Sequence, residues 1–212
     1  MLTGYKFESI RALCSENVIA WEVLSTAMPY IDLEDYFCSM SATQRKAHFF
    51  AQLRHAMFCE AGNKYYLNAT TDLLLETDFL DRLKEETPSP ERLAIEITDL
   101  NRLIHLDDTQ SRALRTCIAA LHQWGIEVWA DDVCEDILPD LLASQIRFCG
   151  VKIDKHTFWS GRTEREKFLQ LTRQCKRLAG KVLIEGIETA GDFALARASA
   201  ADYGQGYLWG KS

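Results

Sequence analysis

Proline is scarce in this chain, with four in 212 residues, and no low-complexity tract or internal repeat divides it. The one shift in composition, Glu85-Glu86-Thr87-Pro88-Ser89-Pro90, is short enough to be a loop between two periodic segments. One domain spanning residues 1–212 is therefore the expectation. No apolar run approaches the ~18 residues of a membrane span, and the start, MLTGYKFESIRAL, lacks the apolar core of a signal peptide. Positive charge is also in short supply. Lys and Arg total 24 against 31 Asp and Glu, a formal net charge of -7. That balance argues against direct nucleic-acid binding and against anionic membrane surfaces, both of which need a basic face. Clustered cysteine is missing too. The seven cysteines, Cys14, Cys38, Cys59, Cys117, Cys134, Cys149 and Cys175, are scattered with no C-x-x-C pair. This excludes a disulfide framework or zinc ribbon and implies reduced thiols, mostly core filler, in a cytoplasmic protein. The five histidines show no metal-type spacing.

What the chain does have is alternation. Tyr5–Ile10 and Val18–Leu24 read as adjacent strands joined by a turn. Ala42–Cys59 reads as a helix with Phe49, Leu53 and Met57 on one face. Lys64–Leu67 is strand-like and leads to Thr71, the expected cap of a helix running to Leu83. Arg92–Ile97 is the next strand, and Thr109–Trp124 the next helix, closed by Gly125. Ile126–Ala130, Gly150–Ile153 and Lys181–Ile184 are further strands, with a helix over Glu164–Leu178. Such alternation implies an α/β fold with parallel strands, either an open doubly wound sheet or a closed barrel.

The informative residues stand at the carboxyl ends of these strands. Val18–Trp21 runs into Glu22, Lys64–Leu67 into Asn68, Ala94-Ile95 into Glu96, and Ile126–Ala130 into Asp131-Asp132. Gly150-Val151 leads to Lys152 and Asp154, and Val182-Leu183-Ile184 to Glu185 and Glu188. In parallel α/β architectures the site lies along that edge. Carboxylate and amide oxygens are hard ligands that suit Mg²⁺ or Mn²⁺, and several converging carboxylates require a cation. Two ions in such a site would clamp a phosphodiester, with Lys152 as a general base or a water-orienting group. Singly, each residue has a plainer reading. Asp131-Asp132 can cap a helix, Lys152 can be an interior ion-pair lysine, and Glu185 and Glu188 can be first-turn acids.

Taken in order, Trp21-Glu22-Val23-Leu24, Leu67-Asn68, Ile95-Glu96-Ile97-Thr98, Ala130-Asp131-Asp132, Val151-Lys152-Ile153-Asp154, Glu185-Gly186-Ile187-Glu188-Thr189 and Gln205-Gly206-Tyr207-Leu208 resemble the EAL domain family. The resemblance runs from about Tyr5 to the last residue. It implies a modified (β/α)₈ TIM-type barrel whose first strands depart from the parallel pattern. It also implies Mg²⁺- or Mn²⁺-dependent hydrolysis of cyclic di-GMP to the linear dinucleotide. By the same resemblance Glu22, Asn68, Glu96, Asp131 and Asp132 are metal ligands. Lys152 positions or deprotonates the attacking water, Glu188 helps hold the metal–water cluster, and Gln205 contacts it from the last strand.

The departures from the family pattern form a group on the substrate side. The family's Gln-Pro-Ile reads Glu8-Ser9-Ile10, so an acid replaces a neutral substrate contact. The phosphate-binding arginine four residues after the first glutamate is Thr26. The loop D-D-F-G-T-G reads Asp131-Asp132-Val133-Cys134-Glu135-Asp136, without either glycine. The glutamate that anchors that loop is the shorter Asp99. A lost charge-assisted phosphate contact costs about 1.5–3 kcal/mol, and a misplaced metal loop roughly another hundred-fold in rate. The resemblance thus implies a weakly active or non-catalytic regulator in cyclic di-GMP signalling. Such a protein acts through a protein partner, by family analogy a transcription regulator of motility or surface attachment. The alternative is an active phosphodiesterase with an unconventional loop; a third reading, a receptor that binds cyclic di-GMP without cleaving it, is weakened by the same changes at Glu8 and Thr26. The altered loop leaves the family's homodimer open, and Trp159 and Trp209 are either interface aromatics or packed on their own barrel.

Overall fold

The chain opens with a hairpin: β1 (Leu2–Ala12) pairs antiparallel with β2 (Val18–Ala27). Parallel pairing then carries the sheet from β2 to β3 (Tyr65–Ala69), β4 (Leu93–Ile97) and β5 (Glu127–Val133). It continues through β6 (Phe148–Ile153) and β7 (Ala179–Ile184) to the two-residue β8 (Tyr203–Gly204). β8 meets β1 antiparallel and closes the barrel, so the fold is a modified (β/α)₈ barrel with its first strand reversed. The computed structural model describes residues 2–59 and 62–210, so the end of the family resemblance, Lys211 and Ser212, lies outside it.

The crossovers are α1 (Leu33–Ser39) with α2 (Ala42–Phe58), α3 (Thr71–Leu74) with α4 (Phe79–Glu86), and α5 (Leu100–Ile104) with α6 (Asp108–Gln123). They continue as α7 (Leu138–Ala143), α8 (Lys155–Ser160) with α9 (Arg165–Leu178), and α10 (Ala190–Ala198). Capping chemistry sets several starts: Ser41 with Gln44, Asp107 with Gln110, and Thr189 with Asp192 each form a reciprocal box. Gly125, at φ +87°, follows the end of α6 in the left-handed region that glycine tolerates. The expected single helix from Thr71 to Leu83 is instead two. Thr70 caps the short α3, and Lys46 holds Glu76 and Asp78 in the intervening turn before α4 begins. Among the described residues no helix is long and apolar enough to cross a membrane.

Strand alternation divides the interior in two. Outward-facing residues such as Val23, Leu67, Ile95, Val128, Val151 and Val182 pack under the helices in one large core. Inward-facing Ile10, Ala20, Tyr66, Ala94, Trp129 and Leu183 form a separate plug across the barrel. A Cβ on Gly150 would sit 2.3 Å from the Trp129 ring, so the plug requires glycine there. All seven cysteines are free, but only Cys117 and Cys175 are buried, which corrects the expectation that most fill the core. Trp159 and Trp209 both pack on their own barrel. The Trp159 indole donates to the Gly186 carbonyl, and Trp209 lies edge-on to Phe193.

Candidate functional site

Three inward columns, each stepping by two residues, run from one end of the barrel to the other. They are Lys64–Tyr66–Asn68 on β3, Glu127–Trp129–Asp131 on β5 and Lys181–Leu183–Glu185 on β7. Their upper members meet Glu22, Glu96 and Lys152 at the carboxyl ends of the parallel strands. Lys152 is 1% exposed, and its Nζ lies 2.7 Å from Glu185, 3.2 Å from Glu96, 3.2 Å from Asp131 and 3.4 Å from Glu22. Asn68 donates to Glu22 at 3.3 Å, and the Gln205 amide donates to Glu22 at 2.7 Å and to Glu8 at 3.2 Å.

One ammonium among four carboxylates leaves the cluster acidic, and burial sharpens the conflict. Desolvation, opposed by Lys152 and aided by neighbouring acids, pushes Glu96 well above the carboxylate range and Glu185 up to about 8. Desolvation raises Asp131 as well. Glu22 goes the other way. Burial works against its charge, yet Lys152, Gln205 and Asn68 together hold its pKa below the usual value. Burial also disfavours a charged Lys152, but the surrounding carboxylates outweigh it and raise the lysine far above its ordinary pKa. In this state Lys152 is a firmly protonated donor.

Five buried oxygens here accept no hydrogen bond: Asn68 Oδ1, both Glu96 oxygens, Asp131 Oδ1 and Gln205 Oε1. Glu96 Oε1 and Asp131 Oδ1 are at ion-pair distance from Lys152 without hydrogen-bond alignment. Orphaned carboxylate and amide oxygens are the donor set a hard divalent cation takes, so the residues present fit such an ion. Their present arrangement is organised around the ammonium. Among the described residues no three acidic or imidazole side chains are already drawn into one coordination shell.

Two sequence-expected site residues stand apart from this cluster. Asp132 sits at a bulge in β5 with φ +51°, which turns Val133 outward into the core and leaves part of Asp132 open to solvent. Its carboxyl still lies close enough to the mouth for desolvation, then Asp131, to raise it to about 6. Glu188 is exposed, and among the described residues its carboxylate makes no ion pair. Asp154 caps α8 through the backbone of His156 and Thr157. The loop residues Cys134, Glu135 and Asp136 line a cavity of about 230 Å³ against α8 and α9, with Glu135 paired to Lys167 at 2.8 Å. Asp99 does not reach that loop; it accepts from the backbone and hydroxyl of Thr71 at 2.7 Å each.

Two residues were under-weighted from sequence. Glu185 makes the shortest ion pair to Lys152 although the family pattern draws attention to Glu188; its place at the end of β7 was the available signal. Lys6 pairs with Glu8 on the inner face of β1, which only the strand's alternation with Glu8 would have flagged. Glu8 is therefore neutralised locally and does not simply oppose an anion. Among the described residues the Thr26 side chain makes one hydrogen bond, hydroxyl to hydroxyl with Thr3 at 3.0 Å.

The sequence model of the EAL domain matches residues 8–212. No curated protein matches the chain. Among solved structures, the chain is similar to the EAL enzyme Bd1971 in its cAMP- and cyclic di-GMP-bound form, with a TM-score of 0.79 and 16% identity. That match covers 99% of this chain and 61% of Bd1971, so the chain spans about three-fifths of that protein. An EAL domain protein from Listeria monocytogenes EGD-e gives a TM-score of 0.77 and 20% identity over 98% of this chain and 87% of its own. Klebsiella pneumoniae BlrP1, solved with calcium and cyclic di-GMP, gives 0.77 and 17% over 97% and 54%. At these identities the likeness is one of fold.

Proposed function

This chain belongs to the EAL domain family, and from that premise we propose that it serves cyclic di-GMP signalling as a weakly active or non-catalytic regulator. In this reading the barrel mouth takes a divalent ion, Mg²⁺ or Mn²⁺, and cyclic di-GMP. A protein partner, such as a transcription regulator, reads the result. The observation that carries it is the pairing of an acidic, oxygen-rich cluster around Lys152 with a loop after Asp132 that is tied elsewhere.

Glu22, Asn68, Glu96 and Asp131 would hold the ion, whereas Asp132, a ligand by the family resemblance, stands apart at the bulge. When bound, such an ion supplies the positive field that steadies phosphate oxygens and acidifies water. The chain's own residues do the rest. Gln205 fixes the rotamer of Glu22 through its amide. Lys152 ties the four carboxylates together and, by the family resemblance, would position the attacking water. Weak turnover is supported by three features. The glycines of the family loop are absent, Asp99 is engaged by Thr71, and Glu135 pairs outward with Lys167. Since about 1 Å of misplacement can cost a hundred-fold in rate, binding can persist where hydrolysis does not.

The intact strand-end ligand set favours a second reading, an active Mg²⁺- or Mn²⁺-dependent phosphodiesterase. Calorimetric titration of cyclic di-GMP with Ca²⁺ present, followed by a Mn²⁺ hydrolysis assay, separates the two. Binding with little product supports the regulator. Binding with sustained turnover supports the enzyme, and no binding by a folded protein removes the nucleotide from both.

A further inference from the structure

Lys6 has entered the site so far only as the partner of Glu8, yet the register of β1 places it at the mouth itself. Tyr5 and Phe7 face outward, where their rings meet His48 and His55 of α2. Lys6, Glu8 and Ile10 therefore line the inner face, descending from the mouth to the plug that contains Ile10. Pairing with β2 sets Glu8 opposite Glu22, Lys6 opposite Leu24 and Gly4 opposite Thr26. Lys6 thus stands one step above the Glu8–Glu22 pair, on the same face as Thr26 and beside it.

We propose that Lys6 is the phosphate-contacting cation of this mouth, supplied from β1 because position 26 on β2 offers only a hydroxyl. The inference rests on the cyclic di-GMP reading above and adds the residue that lets the altered mouth accept an anion. Lys6 has 36% of its side chain exposed, so a ligand can reach it. Lys152 cannot serve, because it is 1% exposed and already engaged by four carboxylates. Gly4 leaves the wall above Lys6 free of a side chain, with Thr26 Oγ1 as the nearest neighbour of a hypothetical Cβ, at 3.6 Å.

Glu8 then has a definite job. One of its oxygens holds the Lys6 ammonium and the other accepts from Gln205, which also donates to Glu22. Before ligand arrives, Glu8 keeps Lys6 over the cluster. When a phosphate arrives, the ammonium is shared between the two anions, so Glu8 positions Lys6 and also competes for it. Removing Lys6 and removing the charge of Glu8 should therefore change ligand affinity in opposite directions.

The test is calorimetric titration of cyclic di-GMP in saturating Ca²⁺, with Ca²⁺ affinity measured separately, on wild type, Lys6→Met, Lys6→Arg and Glu8→Gln, each checked for an unchanged melting profile. Lys6→Met should weaken nucleotide binding roughly ten- to a hundred-fold, the worth of a charge-assisted contact. Its Ca²⁺ affinity should stay constant or tighten, since a neighbouring cation is gone. Lys6→Arg should restore most of the nucleotide affinity, and Glu8→Gln should exceed wild type. Wild-type affinity in Lys6→Met, or a loss that merely follows weakened Ca²⁺ binding, would overturn the role of Lys6 and leave the cyclic di-GMP reading standing. Failure of the wild type itself to bind would overturn both.

Discussion

The two ends of the barrel interior hold the same residue types in inverse proportion. At the amino-terminal ends of the strands, Glu127 is met by Lys64 at 2.6 Å, by Lys181 at 3.1 Å and by the Trp129 indole at 2.9 Å. At the carboxyl ends, Lys152 is met by four carboxylates. The lower cluster satisfies its one carboxylate with three donors, and burial of Glu127 is outweighed so that its pKa falls to about 2. The upper cluster leaves oxygens without partners and drives Glu185 up to about 8. Between them lies the Tyr66–Trp129 plug, rings 5.2 Å apart. Ion pairing at the lower end is complete and structural, whereas the upper end is a set of oxygen acceptors short of positive charge. A buried polar group without partners is costly unless something else supplies them.

The largest effect expected from breaking this asymmetry is at Lys152. Lys152→Met leaves four carboxylates around no cation and should cost about 3–5 kcal/mol in urea denaturation. Mn²⁺ should recover much more of that loss than it adds to wild type. Glu127→Gln, the mirror-image change, leaves Lys64 and Lys181 facing each other and should cost on the order of 2–3 kcal/mol with no change in the Mn²⁺ response. Its pH dependence is specific. The Glu127 pKa is depressed from 4.5 to about 2. Its stabilisation is therefore present above about pH 4.5 and is lost as the pH falls through about 2, and the variant should lack that acid limb. Gly150→Ala drives a methyl into Trp129 and should cost about 1–3 kcal/mol by thermal melt, acting on the plug without favouring either end. The smallest effect belongs to the bulge. Asp132→Gly should change stability by less than about 1 kcal/mol, because the Cβ strain glycine relieves at φ +51° is offset by its greater loss of backbone freedom on folding.

Most of the architecture could be read from the chain because strand alternation and helix caps are local signals. The strand from Arg92 to Ile97 and the helix closed by Gly125 both stand within a residue or so of their expected places. The split between α3 and α4 was not visible, because it depends on Lys46, some thirty residues away, holding Glu76 and Asp78. Strand-end position brought Glu22, Asn68, Glu96, Asp131 and Lys152 together correctly, since a parallel barrel delivers all such residues to one mouth. Spacing could not show that Asp132 turns out at a bulge, that Glu188 lies past the mouth, or that Glu185 takes the closest place at Lys152. The place of Lys6 is not legible for a related reason: its position opposite Leu24, between the levels of Glu22 and Thr26, is set by register between strands, which the linear pattern does not contain.

The upper cluster is built to take a divalent cation and the lower one is not. Titration of Mn²⁺ into the metal-free protein by calorimetry, in wild type, Glu96→Gln and Glu127→Gln, tests it without nucleotide or turnover. Saturable binding is expected, abolished in Glu96→Gln and intact in Glu127→Gln. Absence of binding in a folded wild type, or equal loss in both variants, would contradict it.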